Sequence, residues 1–184
     1  MEFDLQPVLR GERLLLRPLR AEDRAPLWQV AGDPELWAMH PDKTRCEPAG
    51  FERFFDAALE SGSAMVVIEA ASSRVIGSAR YYEWDPAARE VAIGYTFIAR
   101  EFWGGATNLE LKRLMITHAS RWADRVWFHV GKYNLRSRRA MEKIGAQAIH
   151  EGPRPQNGEM VDFVYYRINA AAFRPSASGA LMSA

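Results

Sequence analysis

A single cysteine, Cys46, stands in this 184-residue chain, which excludes an intrachain disulfide and any zinc site built on several thiolates. Cys46 reads as a loop thiol. A dominant charge is also absent: 24 basic residues face 23 acidic ones, a net charge of +1. No global field therefore draws the chain to DNA or to an anionic membrane, and any cationic cluster acts locally. No apolar run approaches the ~18 residues that span a bilayer. The first fourteen residues carry charges and no apolar leader core, so a cytoplasmic protein is expected. The four histidines, His40, His118, His129 and His150, share no metal-ligand spacing, and no metal site is expected. Packing is the better account of His118 and His129. Internal repeats and low-complexity segments are missing as well.

What is present suits one domain, residues 1–170, followed by a small-residue tail, 171–184, expected to be flexible. Residues 13–19 read as a strand ended by Pro18, and Ala21-Glu-Asp-Arg opens a helix with acidic residues where the helix dipole favours them. Residues 38–48 hold two prolines and no periodicity, a surface loop, and a second helix covers 50–59. Strands are expected at 64–69 and 75–82 around the Ser72-Ser73-Arg74 turn. After a turn at residues 85–88 comes a strand over 90–98. Strict alternation there puts Val91, Ile93, Tyr95 and Phe97 on one face and Glu90, Ala92, Gly94, Thr96 and Ile98 on the other, both covered. Leu111, Leu114, Met115, His118, Ala119 and Trp122 recur at helical spacing within 106–123. A strand at 126–130 follows. Strand, long crossover and strand imply that 90–98 and 126–130 are parallel neighbours. A last antiparallel pair, 146–151 and 159–169, is expected around a loop at 153–158.

The densest information lies in Asn134 to Ala146, Asn-Leu-Arg-Ser-Arg-Arg-Ala-Met-Glu-Lys-Ile-Gly-Ala. Asn134 is a good N-cap, Ser137, Ala140, Met141 and Ile144 share one helical face, and Gly145 supplies a left-handed stop. Arg136, Arg138, Arg139 and Lys143 rim the rest, which suits a phosphate. Upstream, Trp103, Gly104, Gly105, Ala106, Thr107 and Asn108 join a strand to a helix, where backbone amides and the helix dipole favour an anion.

The wording of Asn134, Ser137, Glu142, Lys143 and Gly145 resembles the second acetyl-CoA motif of the GNAT superfamily of N-acetyltransferases. The likeness runs from about Leu9 to Ile168. Its opening Gly-Glu-Arg-Leu-Leu-Leu-Arg-Pro-Leu, residues 11–19, is similar to the branch of ribosomal-protein acetyltransferases. The resemblance implies an α+β fold: a mixed, mostly antiparallel sheet of six to seven strands with four main helices, the fourth and fifth strands parallel and splayed. It implies acetyl-CoA as cofactor and direct attack of an amine, a protein N-terminus or a small molecule, on the thioester in a ternary complex. A backbone amide at Phe97 or Ile98 would polarise the carbonyl. The loop from Trp103 to Asn108 would hold the pyrophosphate, with Arg138 on the cationic helix nearby. Asn134 would meet the pantetheine arm, and Ser137 would contact the cofactor or protonate the thiolate.

Some positions depart from the family pattern. The two loop glycines are adjacent rather than separated, with Arg100 the one upstream cation. Where relatives often carry a glutamate base the residue is Ala92, which leaves Glu90, two residues earlier on the same expected face, as the nearest substitute; Glu83 and Asp85 across the hairpin are further candidates. The usual acid tyrosine is Met141. Trp28, Trp37, Trp84 and Tyr81 read as core aromatics, with the wall of an acceptor pocket as the other role. A catalytically degenerate CoA-binding or protein-interaction module is the competing function, and RNA contact by the four helix cations would serve docking only. Acceptor identity and oligomeric state, a homodimer included, stay open.

Overall fold

The structure is a computed structural model that describes residues 2–174. One eight-stranded sheet runs β1 (Leu9–Arg10), β2 (Leu14–Pro18), β3 (Ala64–Glu69), β4 (Val75–Asp85), β5 (Glu90–Ile98), β6 (Arg125–Gly131), β8 (Glu159–Asn169) and β7 (Gln147–Gln156) across its width. All neighbours are antiparallel except β5 and β6, the parallel pair that the crossover demands. The mixed α+β fold is thus as expected, with one or two strands more than expected. The two-residue β1 makes the parallel pair fifth and sixth in chain order. Five helices, α1 (Arg24–Ala31), α2 (Pro34–Trp37), α3 (Pro48–Glu60), α4 (Thr107–Ala119) and α5 (Leu135–Lys143), cover the sheet. None of the helices among the described residues is long and apolar enough to cross a membrane.

Local chemistry sets the helix ends. Pro34 and Pro48 occupy first-turn positions of α2 and α3, where a missing N–H costs nothing. Asp33 accepts from the Glu35 amide at 3.0 Å as the α2 cap. Arg17 and the buried Asp23 form a two-point ion pair, 2.7 and 2.8 Å, that fixes the turn into α1. Gly145 ends α5 at φ +80°, the left-handed stop read from the sequence. On α4, the Glu110 carboxylate accepts from the Arg13 and Leu14 amides at 2.9 and 3.2 Å and anchors the start of β2.

Two cores result. On one face α4 and α5 pack over Val91, Ile93, Ile98, Val126, Phe128 and Val130; on the other α1, α2 and α3 enclose Val66, Ile68 and Phe97. Phe97 and Ile98 behave as sequence alternation requires of neighbours, but Val91 and Phe97, expected on one face, lie on opposite ones. The reason is a bulge. Arg80 pairs with Gly94 and Ser78 with Phe97, so Tyr95 and Thr96 oppose the single Ala79. Tyr95 takes φ +52° and turns toward Arg80, whose guanidinium lies 3.6 Å from its ring centre. Everything after it is rotated by one step, which sends Thr96 and Ile98 toward α4.

The final hairpin also differs from expectation. Residues 153–155 are not loop: β7 continues to Gln156 and turns at Asn157 and Gly158, both at positive φ. Pro153 and Pro155 are tolerated because β7 is the sheet edge, where one flank needs no donors. Ala170–Phe173, near the end of the described residues, forms a helical turn against the core, while 175–184, most of the expected flexible tail, lie outside the described residues.

The loop at 38–48 is held by a buried pair. Arg45 Nε donates to Asp42 at 3.1 Å, beneath the rings of Phe54 and Trp37 at 4.7 and 5.4 Å. Burial alone would raise the Asp42 carboxyl, yet the hydrogen bonds from Thr44 and the Arg45 charge outweigh it and hold the group below the ordinary carboxylate range. Breaking such a pair leaves a buried cation without compensation. Asp42→Ala is therefore expected to lower stability by about 3–5 kcal/mol, read as a reduced midpoint in urea unfolding at constant slope.

Candidate active site

Strand β5 pairs with β6 only through Glu90, Val91 and Ala92 opposite Arg125, Val126 and Trp127. Strand β6 stays paired with β8 over its whole length, so β5 diverges from it beyond Ala92 and a gap opens in the sheet. The Ala99 N–H bonds the Ile76 carbonyl on β4 at 2.8 Å. By strand alternation the Ile98 amide faces the other way, into the gap. The Ile98 carbonyl points there too and accepts from Trp103 Nε1 at 2.9 Å.

A cleft of about 420 Å³ occupies this gap and passes through the sheet. Thr96, Phe97 and Ile98 form its floor, Leu36, Trp37 and His40 one wall, and α5 the other. At its mouth Trp103, Gly104, Gly105 and Asn108 lead into α4. Gly104 has φ +75°, and a Cβ at Gly104 or Gly105 would meet nothing within 4 Å, so a ligand can approach the main chain there. No side chain caps the N-terminus of α4, which leaves its first amides as donors.

Of the α5 cations, two are committed to protein. Arg136 stacks 3.7 Å from the Trp103 ring centre and donates to the Leu36 carbonyl at 2.9 Å, tying α5 to α2 across the cleft. Arg138 donates to the Tyr166 hydroxyl and the Lys132 carbonyl, both at 3.1 Å, and lies outside the cleft. Arg139 and Lys143 line it and enter no ion pair among the described residues. Asn134 is buried, caps α5 by accepting from the Ser137 amide at 3.2 Å, and lines the cleft beside Ser137.

The cleft thus brings together Phe97, Ile98, Trp103, Gly104, Gly105, Asn108, Asn134 and Ser137 from the sequence-read set. Ala106 and Thr107 sit just behind, at the start of α4. Glu90 is not brought in. It lies at the opposite end of β5, roughly 25 Å along the strand from Ile98, paired with Arg125 and accepting from Trp127 Nε1 at 2.8 Å. Asp85 caps the β4–β5 turn through the Ala87 and Ala88 amides, and Glu83 pairs with Arg154. Met141 is core. Among the aromatics weighed, Trp37 reaches the cleft, whereas Tyr81 is fully buried and donates to the Met115 carbonyl at 2.7 Å.

His118 packs among Phe3, Tyr81 and Trp122 with Nε2 2.8 Å from the Asp4 carbonyl. His129 faces away from α4, its Nδ1 2.8 Å from the Tyr82 hydroxyl; burial, with the Arg154 charge, pushes it down to about 4. His40 does line the cleft: its Nδ1 accepts from the Asp42 amide at 2.9 Å, and burial, with the Arg45 charge, lowers it to about 3, so it is neutral at physiological pH.

Sequence reading did not single out Thr96: alternation groups it with Glu90, Ala92, Gly94 and Ile98, and only the bulge separates it from Glu90 and Ala92 and turns it toward α4. Nor did it find Lys112, whose Nζ donates to Thr96 Oγ1 at 2.8 Å. A signal existed: Lys112, Ile116, Ala119 and Ala123 fall at steps of four, three and four, a second buried stripe on α4 and the turn after it.

The acetyltransferase (GNAT) domain profile matches residues 13–147. No curated protein is significantly similar in sequence. Among solved structures, a GCN5-related N-acetyltransferase from Brucella melitensis is 21% identical with a TM-score of 0.77, covering 90% of this chain and 79% of its own. A Vibrio cholerae protein provisionally described as a ribosomal-protein-serine acetyltransferase is 16% identical, TM-score 0.73, over 92% of this chain and 99% of its own. Spermidine N-acetyltransferase from Vibrio cholerae, in complex with CoA and spermine, is 16% identical, TM-score 0.66, over 89% and 99%.

Asn134 both caps α5 and lines the cleft, and the two can be separated. Asn134→Ala is expected to lose the cap, about 1 kcal/mol, together with affinity for any ligand seated in the cleft. Asn134→Ser keeps a capping oxygen and should lose affinity while retaining thermal stability. Calorimetric titration beside thermal unfolding distinguishes the two effects.

Proposed function

Since the chain belongs to the GNAT acetyltransferase domain family, whose members transfer acyl groups from acetyl-CoA, we propose that it acetylates a primary amine by direct attack in a ternary complex, with residues 1–170 acting as one catalytic domain. The observation that carries this reading is one continuous cleft with cations and uncapped helix amides at its mouth and a strand amide without a strand partner at its floor. When bound, acetyl-CoA supplies the activated acetyl thioester.

Each part of the cleft then has a task. Gly104, Gly105 and the first amides of α4 take a phosphate, and Arg139 and Lys143 take the rest of the negative charge. These two cations assume the role first assigned to Arg138. Asn134 offers its side-chain N–H groups to an amide of the carrier arm, and Ser137 its hydroxyl. The Ile98 amide, fixed by the bulge, donates to the carbonyl oxygen where negative charge develops. Trp37, Phe97 and Leu36 keep that end dry.

None of the cleft-lining side chains is a carboxylate. This favours an acceptor that needs little help in losing its proton. At pH 7 an α-amine costs only about 1 kcal/mol to deprotonate, a lysine ammonium about 4.6. A protein N-terminus or a small amine of low basicity is thus preferred to a lysine side chain. The second reading, a CoA-binding module without turnover, draws on Ala92 and Met141 standing where catalytic side chains are common in the family.

Calorimetry with acetyl-CoA should show micromolar binding by the unaltered protein. Gly104→Val, strained at its positive φ, should abolish it. Lys143→Glu should weaken it by tenfold or more, about 1.4 kcal/mol. Release of CoA that depends on an added amine would reject the module, whereas binding without turnover on any amine would reject the enzyme.

A further inference from the structure

Lys112 is 3% exposed, on the face of α4 that looks onto the splay between β5 and β6. Its Nζ donates to Thr96 Oγ1 at 2.8 Å and lies 5.3 Å from the Phe128 ring centre. Thr96 in turn lines the cleft, next but one to the Ile98 amide. Its hydroxyl hydrogen makes only a long bond, 3.3 Å, to the Gly94 carbonyl and can turn into the cleft at little cost. A buried ammonium is thus connected to the reaction space by a single hydroxyl.

We propose that Lys112 is a positioning residue that acts through Thr96, supplying the proton taken up by the carrier's sulfur as the acetyl group departs. This rests on the acetyl transfer proposed above. In the step, the acceptor nitrogen forms a bond to the acetyl carbon and the carbon–sulfur bond breaks. Sulfur takes the Thr96 hydroxyl hydrogen while Thr96 Oγ1 takes a proton from Lys112 Nζ, and the acceptor nitrogen gives its proton to water. Lys112 regains a proton from water by the same hydroxyl once the products have left.

The surroundings suit this task. No carboxylate stabilises the ammonium: on α4 Glu110 is occupied by the Arg13 and Leu14 amides, on β5 Glu90 pairs with Arg125 of β6, and on α5 Glu142 forms no ion pair with it. His129 of β6 bonds Tyr82 on the far face, and Arg139 and Lys143 of α5 line the cleft. Burial without a counter-charge pushes the Lys112 ammonium down to about 7. An ordinary thiol lies near 8.5, so proton transfer from Lys112 to sulfur runs downhill. The acid form is the protonated one, so the function is present below that value and fades as pH rises through it.

Two measurements test the proposal. NMR of protein carrying 13C at the lysine ε-carbon follows the Lys112 titration, identified by its loss in Lys112→Met, an apolar replacement of similar size that should fold. Its midpoint is expected near neutrality in the free protein and higher with CoA than with acetyl-CoA. In Thr96→Val that difference should vanish. The pH profile of kcat, taken with an accepted amine, should fall on the alkaline side in the unaltered enzyme. Lys112→Met and Thr96→Val should lower kcat by about 100-fold, lose that alkaline fall and leave the KM for acetyl-CoA nearly unchanged, and Thr96→Ser should restore both. A Lys112 midpoint near the ordinary ~10.4, or an unchanged alkaline fall in Lys112→Met, overturns the proposal while leaving acetyl transfer intact. Failure of the unaltered protein to turn over acetyl-CoA with any amine instead removes the reading on which it rests.

Discussion

One extra residue in β5 organises the part of the molecule that holds the cleft. Tyr95 and Thr96 share the place opposite Ala79, and the positive φ at Tyr95 rotates the remainder of the strand. Without that step Phe97 would point at α4 and Thr96 and Ile98 away from it. With it, Phe97 seals the core beneath α3, while Thr96 meets Lys112 and Ile98 presents its backbone to the gap. A left-handed tyrosine is unfavourable in isolation. Arg80 stacks on its ring at 3.6 Å, with Arg45 5.8 Å from the ring centre, and these contacts hold the conformation. The β5–β6 pairing already ends at Ala92, and beyond the bulge β5 does not rejoin a neighbour that continues alongside β8.

The cations of α5 divide their labour by position. Arg136 and Arg138 point to either side of the helix and are spent on shape, one bridging to α2 over Trp103 and the other fastening α5 to β8. Arg139 and Lys143, one turn apart, face the cleft between them. Arg136 lines the cleft too, but part of its hydrogen-bonding capacity is spent on the Leu36 carbonyl, so a ligand meets fewer free donors than the motif's count of cations suggests.

Much of this was legible in the residues. Asn134 and Gly145 bounded α5 because capping chemistry is local and depends on one residue at each end. The parallel pair followed from the length of the crossover, and the glycine turn ahead of α4 from its place between strand and helix. What escaped were features set by contacts between distant segments. The bulge at Tyr95 depends on Arg80 of the neighbouring strand and leaves no mark in the alternation of Val91, Ile93, Tyr95 and Phe97. Glu90 was placed near the chemistry by parity alone, which ignores distance along a strand. The prolines of β7 read as loop because edge position is a property of the sheet and not of the segment. Lys112 lies outside the apolar stripe read on α4, and its burial depends on the splay of the sheet beneath it.

The central claim is that the gap beside the bulge presents the Ile98 amide to the carbonyl of an acetyl thioester. It is tested most directly by the 15N–1H resonance of Ile98 during titration with acetyl-CoA and, separately, with CoA, which lacks the carbonyl. A downfield proton shift with acetyl-CoA that is absent or much smaller with CoA is the predicted result. Equal shifts from both ligands, or saturable binding that leaves the Ile98 resonance unmoved, would contradict it.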